Sequence, residues 1–135
     1  MTTAHEHLVQ LRSSDPDGYG HVNHARALSL LEDARVAMTT DAPGAVPGRR
    51  PDIILARLEV DYLRQLYYRA GERLCVSTWL TRVGTKSLSM RQELAQDDEV
   101  AIRLDAVLVL FDTAADASRP MTDDERAYWS RYLVT

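Results

Sequence analysis

The stretch SSDPDGYGHVNHARALSLLEDAR, residues 13–35, changes character at its middle. Its first half is a turn. Pro16 sets φ, Asp15 and Asp17 bond the local backbone, and Gly18 accepts unusual dihedrals. Its second half is a helix, read over His24–Thr39. Ala27, Leu28, Leu31, Ala34, Arg35 and Met38 recur at three- and four-residue spacing. Leu30 widens the stripe, so more than one side of this helix is buried. Glu32 breaks the stripe and needs a partner if buried. Glu32 and Arg35, three apart, share a face, which favours a structural ion pair or interface bond.

Outward from this stretch, strands dominate. Val9 and Leu11 place a strand at His5–Arg12, with His5 and His7 on one face, read as a surface position. After the helix, residues 41–51 carry three prolines and two glycines and read as a loop, a candidate lid. Strands follow at Ile53–Tyr62, Arg73–Val83, Ser87–Gln96 and Val100–Asp112. Leu74, Val76, Thr78 and Leu80 alternate with Cys75, Ser77, Trp79 and Thr81, the two-residue period of a sheet. Gly84-Thr85 and residues 96–99 are short connections, so the strands they join pair antiparallel. Val107–Phe111 is apolar on both faces, as in a central strand covered by the helix on one side. Thr122 with Glu125 three residues on spells a capping box for a last helix ending near Tyr132. One apolar helix and one antiparallel sheet make an α+β, two-layer arrangement.

The 135 residues fit a single domain, 1–135. A net charge of −4 argues against a broad nucleic-acid surface. Basic residues cluster nonetheless: Arg49 and Arg50, then Arg64, Arg69, Arg73, Arg82, Lys86 and Arg91. A local anionic ligand or a solvated strand edge both account for them. No apolar run approaches the roughly 20 residues that span a bilayer, and no secretory signal is read, so no membrane partner is expected. The single cysteine, Cys75, forbids an intrachain disulfide and fits a cytoplasmic location. Cys75 itself reads as a small strand residue.

The junction between turn and helix admits two readings. A helix N-terminus presents unpaired N–H groups and partial positive charge, which can receive a carbonyl oxygen that becomes anionic. A carboxylate on the preceding turn can act as base or nucleophile. Equally, Asp-Pro-Asp-Gly before a helix is an ordinary turn with an N-cap. His21 and His24 lack a suitably spaced third ligand, so no metal site is expected.

The run Asp15-Pro-Asp17-Gly-Tyr-Gly20-His21-Val22-Asn23-His24, with Leu-Leu-Glu32-Asp-Ala-Arg35 after it, resembles the signature of the 4-hydroxybenzoyl-CoA thioesterase family of hot-dog proteins. That signature runs Asp-x-Asp-x-x-Gly-His-Val-Asn-Asn, and only its second Asn differs, being His24 here. Residues 57–68 are similar to the family's second strand, with Gln65 where proline is common. Residues 82–88 resemble its Gly-x-x-Ser connection. The resemblance implies a hot-dog fold, a long central helix wrapped by a curved antiparallel β-sheet. It implies homodimers or homotetramers with active sites between subunits. It implies hydrolysis of an acyl-CoA to a free acid and CoA, without metal or organic cofactor, CoA being part of the substrate. Asp17 matches the catalytic carboxylate, and backbone N–H groups near Asn23 and His24 match the oxyanion site.

The substrate-binding candidates are Tyr19, Gly20, His21, Val22, Tyr62, Arg82, Gly84, Thr85, Lys86 and Ser87. For His21 a packing role is favoured, for Tyr62 ordinary sheet packing is an equal alternative, and residues 84–87 also read as a plain hairpin. His24 is a catalytic candidate or a helix-cap histidine. Asp15 is read as an aid to the turn. Ala25, Ala27 and Ser29 are small enough to leave room for an acyl group. Rival functions are thioesterase or acyltransferase action on an acyl-carrier protein, and non-catalytic acyl-CoA binding.

Overall fold

The computed structural model describes residues 3–43 and 52–134. The expected lid loop lies mostly outside these residues, as do Arg49 and Arg50. The elements are β1 (His5–Gln10), α1 (His24–Thr40), β2 (Ile53–Tyr62), β3 (Arg73–Val83), β4 (Ser87–Gln96), β5 (Glu99–Asp112), the two-residue β6 (Ala117–Ser118) and α2 (Asp123–Ser130). β1 stops two residues earlier than expected, although the Leu11 N–H still reaches the Glu72 carbonyl.

The strand order is β1-β3-β4-β5-β2, all antiparallel, with β6 on the end of β5. The expected β3-β4-β5 pairing is present. The β4–β5 turn puts Asp97 and Asp98 at φ 53° and 61°, the paired positive φ of a tight hairpin. β5 is an interior strand, as its double-sided apolar run implies. β2 crosses to the far edge and pairs with β5. Register shifts interrupt β2 at Leu55/Arg57, β3 at Leu80/Arg82 and β4 at Leu94/Ala95. Such bulges bend strands and curve a sheet.

The inner face of β3, β4 and β5 carries Leu74, Val76, Leu80, Leu88, Met90, Leu94, Ile102, Leu104, Leu108 and Leu110, all buried. Ala27, Leu30, Leu31, Ala34 and Met38 of α1 are buried in the same core cluster. The outer face is half-buried or exposed, and Arg91–Asp105 and Arg103–Glu93 cross-strand pairs cover part of it at 2.9 Å. This is the hot-dog arrangement of a central helix and a wrapping sheet.

The core contains one polar knot. Gln92, fully buried, accepts from Arg35 Nη1 at 2.9 Å and donates to the Leu31 carbonyl and Thr78 Oγ1 at 3.1 and 3.2 Å. It links α1 to the middle of the sheet. Glu32, by contrast, is exposed, because the helix turns it away from the sheet. Sequence reasoning also placed His5 and His7 on the surface. Both are half-buried on the inner side of β1, since they share the parity of buried Val9. His5 packs edge-on against Tyr132, with Asp41 3.9 Å from its Nε2.

α2 closes one end of the core. Thr122 and Glu125 form the expected capping box, and Arg119 holds Glu125 through two 2.8 Å bonds. Tyr128 donates its hydroxyl to the Met38 carbonyl at 2.6 Å. Beyond α2 the chain bonds to Leu80 through the Tyr132 carbonyl and the Val134 N–H, extending the edge of β3 past the end of β1.

The polar knot and the half-buried His5 can each be tested. Gln92→Leu preserves volume but removes the acceptor of Arg35 Nη1 and the donor to Thr78 and to the Leu31 carbonyl. It is expected to lower stability by about 1–3 kcal/mol in urea unfolding, and wild-type stability would show that the knot contributes nothing net. Burial pushes the His5 imidazole below its ordinary value of 6.5; Asp41 opposes this and His7 adds to it. The unfolded chain therefore takes up the proton more readily than the folded one. The stabilisation is complete above that ordinary value and is lost as pH falls below it. Thermal melting from pH 7.5 to 5 should show Tm falling less steeply in His5→Gln than in wild type; parallel curves would contradict this.

Candidate functional site

The turn before α1 is assembled around Asp15. Its side chain is completely buried. It accepts from the Arg12 N–H at 2.7 Å and pairs with Arg12 Nη2 at 2.9 Å. Its carbonyl accepts from the Asn23 N–H at 2.8 Å. Asp15 therefore ties the end of β1 to the start of α1, the structural role expected of it. Both of its oxygens are committed.

Asp17, two residues on, is exposed and differently held. Its Oδ1 accepts from the Tyr19 N–H at 2.8 Å and the His21 N–H at 3.2 Å. Among the described residues no donor engages Oδ2. The Asp17 N–H bonds the His21 carbonyl at 2.7 Å, closing the turn, and Gly20 supplies its positive φ of 78°.

The arm leaving the turn pairs with the chain after β2. Val22 donates to the Leu66 carbonyl at 2.7 Å, and Tyr68 to the Gly20 carbonyl at 3.0 Å. Buried Gln96 grips Tyr67 on both sides, accepting from its N–H and donating to its carbonyl, each at 2.9 Å. The ring of His21 stands edge-on to Tyr67, in line with the packing role.

At the helix start, Asn23 is the N-cap. Its side chain accepts from the N–H groups of Ala25 and Arg26, and its carbonyl from that of Ala27. Its own N–H is spent on Asp15. Of the backbone N–H groups from Asn23 to Ala27, only that of His24 has no acceptor among the described residues. The expected oxyanion site near Asn23 and His24 thus narrows to the His24 N–H. The His24 ring is exposed and edge-on to Tyr62, whose hydroxyl donates to the His24 carbonyl at 3.4 Å.

These groups border a cavity of about 470 Å³. Asp17, Val22, Asn23 and His24 line one side, with Ala27 from α1. Tyr62, Leu63, Arg64, Gln65 and Leu66 line the other, with Ile102 from β5. Of the residues singled out in the sequence, Asp17, Val22, Asn23, His24 and Tyr62 line this cavity. Tyr19, Gly20 and His21 belong to the same turn but not to the cavity wall, and Tyr19 is 86% exposed. Ala25 and Ser29 face a separate groove. Sequence reasoning missed Leu63, Gln65, Leu66 and Ile102 as site residues. Ile102 carries no signal beyond strand periodicity, and Arg64 was noted only for its charge.

Arg82 and residues 84–87 lie elsewhere. They join β3 to β4 at the end remote from the turn, which meets the sheet near Arg73 and Gln96. Eleven residues of β3 separate the two ends, roughly 30 Å at strand rise. The connection is tightly built: Gly84 and Thr85 carbonyls accept from Arg126 and the Met121 N–H. A Cβ on Gly84 would meet Ser87 Oγ at 3.0 Å. Three members of the basic cluster are engaged in ion pairs, Arg64 with Glu99, Arg69 with Asp97 and Arg91 with Asp105. Among the described residues no three His, Cys, Asp or Glu side chains are placed to hold a metal ion, and no helix is long and apolar enough to cross a membrane.

Comparison with known proteins bears on the fold and the family. No curated protein sequence matches significantly. A protein described as a predicted thioesterase from Bacillus stearothermophilus has a similar structure, with TM-score 0.87 and 26% identity over 98% of each chain. A thioesterase from Thermus thermophilus, complexed with coenzyme A and Zn, gives 0.78 and 28% over 95% of this chain and 98% of that one. A Staphylococcus aureus protein in complex with CoA shares the fold, with TM-score 0.84 at 14% identity, covering 100% of this chain and 89% of that one. The family model of the Thioesterase-like superfamily matches residues 11–128. That match stands at superfamily level, broader than the 4-hydroxybenzoyl-CoA thioesterases the signature resembles. The chain belongs to the Thioesterase-like superfamily.

Proposed function

We propose that the chain hydrolyses acyl-CoA thioesters, with Asp17 as the catalytic carboxylate. One observation carries this reading. The uncommitted Oδ2 of Asp17 and the unbonded N–H of His24 belong to residues that wall the same cavity. Oδ2 either attacks the thioester carbonyl or takes a proton from the attacking water. Both routes put negative charge on the carbonyl oxygen. The His24 N–H, at the positive end of α1, receives it; one such donor contributes about 10²–10³ in rate. Collapse of the intermediate breaks the C–S bond and expels the CoA thiolate, which takes up a proton. After direct attack this leaves an acyl–aspartyl anhydride that water cleaves to the free acid and restored Asp17, whereas the water route gives the free acid at once. The reaction needs no metal or organic cofactor. The His24 ring and the Tyr62 hydroxyl border the cavity and contact the substrate. The CoA complexes of the Thermus and Staphylococcus proteins support CoA as the carrier, and the single thiol fits the cytoplasm.

The working form in this reading is a homodimer or a tetramer built from it. β2 is a ten-residue edge strand that exposes Ile54 and Leu55. Such an edge invites pairing with a second copy. Residues 82–87 and Asp17 stand at opposite ends of one chain, so their service to one substrate requires a second chain.

The test is thiol release from a panel of acyl-CoAs. Asn at position 17 keeps an oxygen for the Tyr19 and His21 N–H groups but is neither base nor nucleophile. Asp17→Asn is expected to lower kcat by about 10²–10⁴ with an unchanged melting curve. Equal turnover in the variant would remove the assignment. Faster release from acyl-carrier protein would move the substrate to that carrier, and tight acyl-CoA retention without turnover would make the chain a binder.

A further inference from the structure

The cavity beside Asp17 is not uniform along its depth. Asp17, Tyr62, Arg64 and Gln65 line it as exposed residues. Its inner end is formed by four buried apolar side chains: Val22 at 6% exposure, Leu66 at 3%, and Ala27 and Ile102 at 1% each. A thioester whose carbonyl meets Asp17 and the His24 N–H points its acyl tail at that inner end.

The tail has little room to advance. Ala27 lies three residues beyond His24, about 4.5 Å along the helix axis. The next buried helix residues, Leu30 and Leu31, are 1% and 0% exposed, and Leu104, the next inward residue after Ile102 on β5, is 1% exposed. None of these three lines the cavity. They belong to the filled core behind it, where packing is close and an extra methylene is felt. Ala27 is the smallest side chain at the inner end, so its methyl group sets how deep the cavity reaches.

We infer that Ala27, with Ile102, is the ruler for acyl-chain length, and that the substrates are thioesters of short acyl chains. The inference rests on the thioesterase reading and adds a substrate class to it. Burying one methylene strengthens binding about fourfold, so kcat/KM climbs with each carbon that reaches the apolar end. It falls once the tail must displace the core or fold back into water.

The experiment compares kcat/KM for acetyl-, butyryl-, hexanoyl-, octanoyl- and palmitoyl-CoA in wild type, Ala27→Val, Ile102→Val and Asp17→Asn, with thermal melting of each protein. Wild type is expected to peak among the short chains, with palmitoyl-CoA at least tenfold below the peak. Ala27→Val should lower the ratio of the wild-type's best substrate to acetyl-CoA at least tenfold. Ile102→Val, which removes one methylene from the cavity wall, should move the peak toward longer chains. If Ala27→Val fails to fold, the Ile102→Val profile decides. Turnover that depends on Asp17 with superimposable profiles in the folded variants would overturn the ruler and leave the thioesterase reading standing. No turnover of any thioester by wild type would overturn both.

Discussion

Asp15 holds three parts of the molecule in one place, through its carboxylate and its backbone carbonyl. It is fully buried, which a carboxylate tolerates only when paired and hydrogen-bonded. Arg12 supplies both a guanidinium and a backbone N–H, and the Asp15 carbonyl takes the N–H of Asn23. The end of β1, the turn and the first cap of α1 are thereby fixed relative to one another. The Arg12 guanidinium stays half in solvent, so the pair is screened on that side while the buried carboxylate depends on it. The commitment that makes Asp15 structural is also what distinguishes it from Asp17, whose second oxygen stays available.

That anchor has a consequence for the helix terminus. An α-helix leaves its first N–H groups to be satisfied from outside. Here the Asn23 side chain takes two, the Asn23 carbonyl takes that of Ala27, and Asp15 takes the Asn23 N–H itself. The N–H of His24 is left over, beside a cavity and at the positive end of a seventeen-residue helix. The chemistry proposed for the site is the use of that remainder by a carbonyl oxygen. The arrangement is held from the opposite side by residues 66–68, which Gln96 grips through both polar groups of the Tyr67 backbone.

The core explains why the site can be this open without loosening the fold. The inner face of the sheet and the stripe of α1 form one apolar cluster. The knot of Gln92, Arg35, Thr78 and the Leu31 carbonyl fixes how the helix sits on it. Polar groups buried in that way must all be matched, so the helix has few alternative seats. The cavity occupies only the first turn of α1, and the core behind it is filled.

Much of this was legible in the residues alone, where the cause is local. Pro16, the two aspartates and the glycines write a turn through their own backbones. The periods of α1 and of β3 to β5 declare helix and sheet, and Thr122 with Glu125 declares a cap. The signature around Asp17 points to the candidate carboxylate because its residues are neighbours in the chain. What tertiary structure decided depends on segments far apart in sequence. β2 crosses to the edge beside β5, which carries residues 62–66 to the cavity wall. Residues 82–87, close to other candidates by motif, end up at the opposite end of the sheet. The entropic cost of closing a loop changes only slowly with its length, so spacing along the chain does not say which strand will receive which partner. That choice is made by the fit of whole apolar faces, and it is visible only when the faces have met.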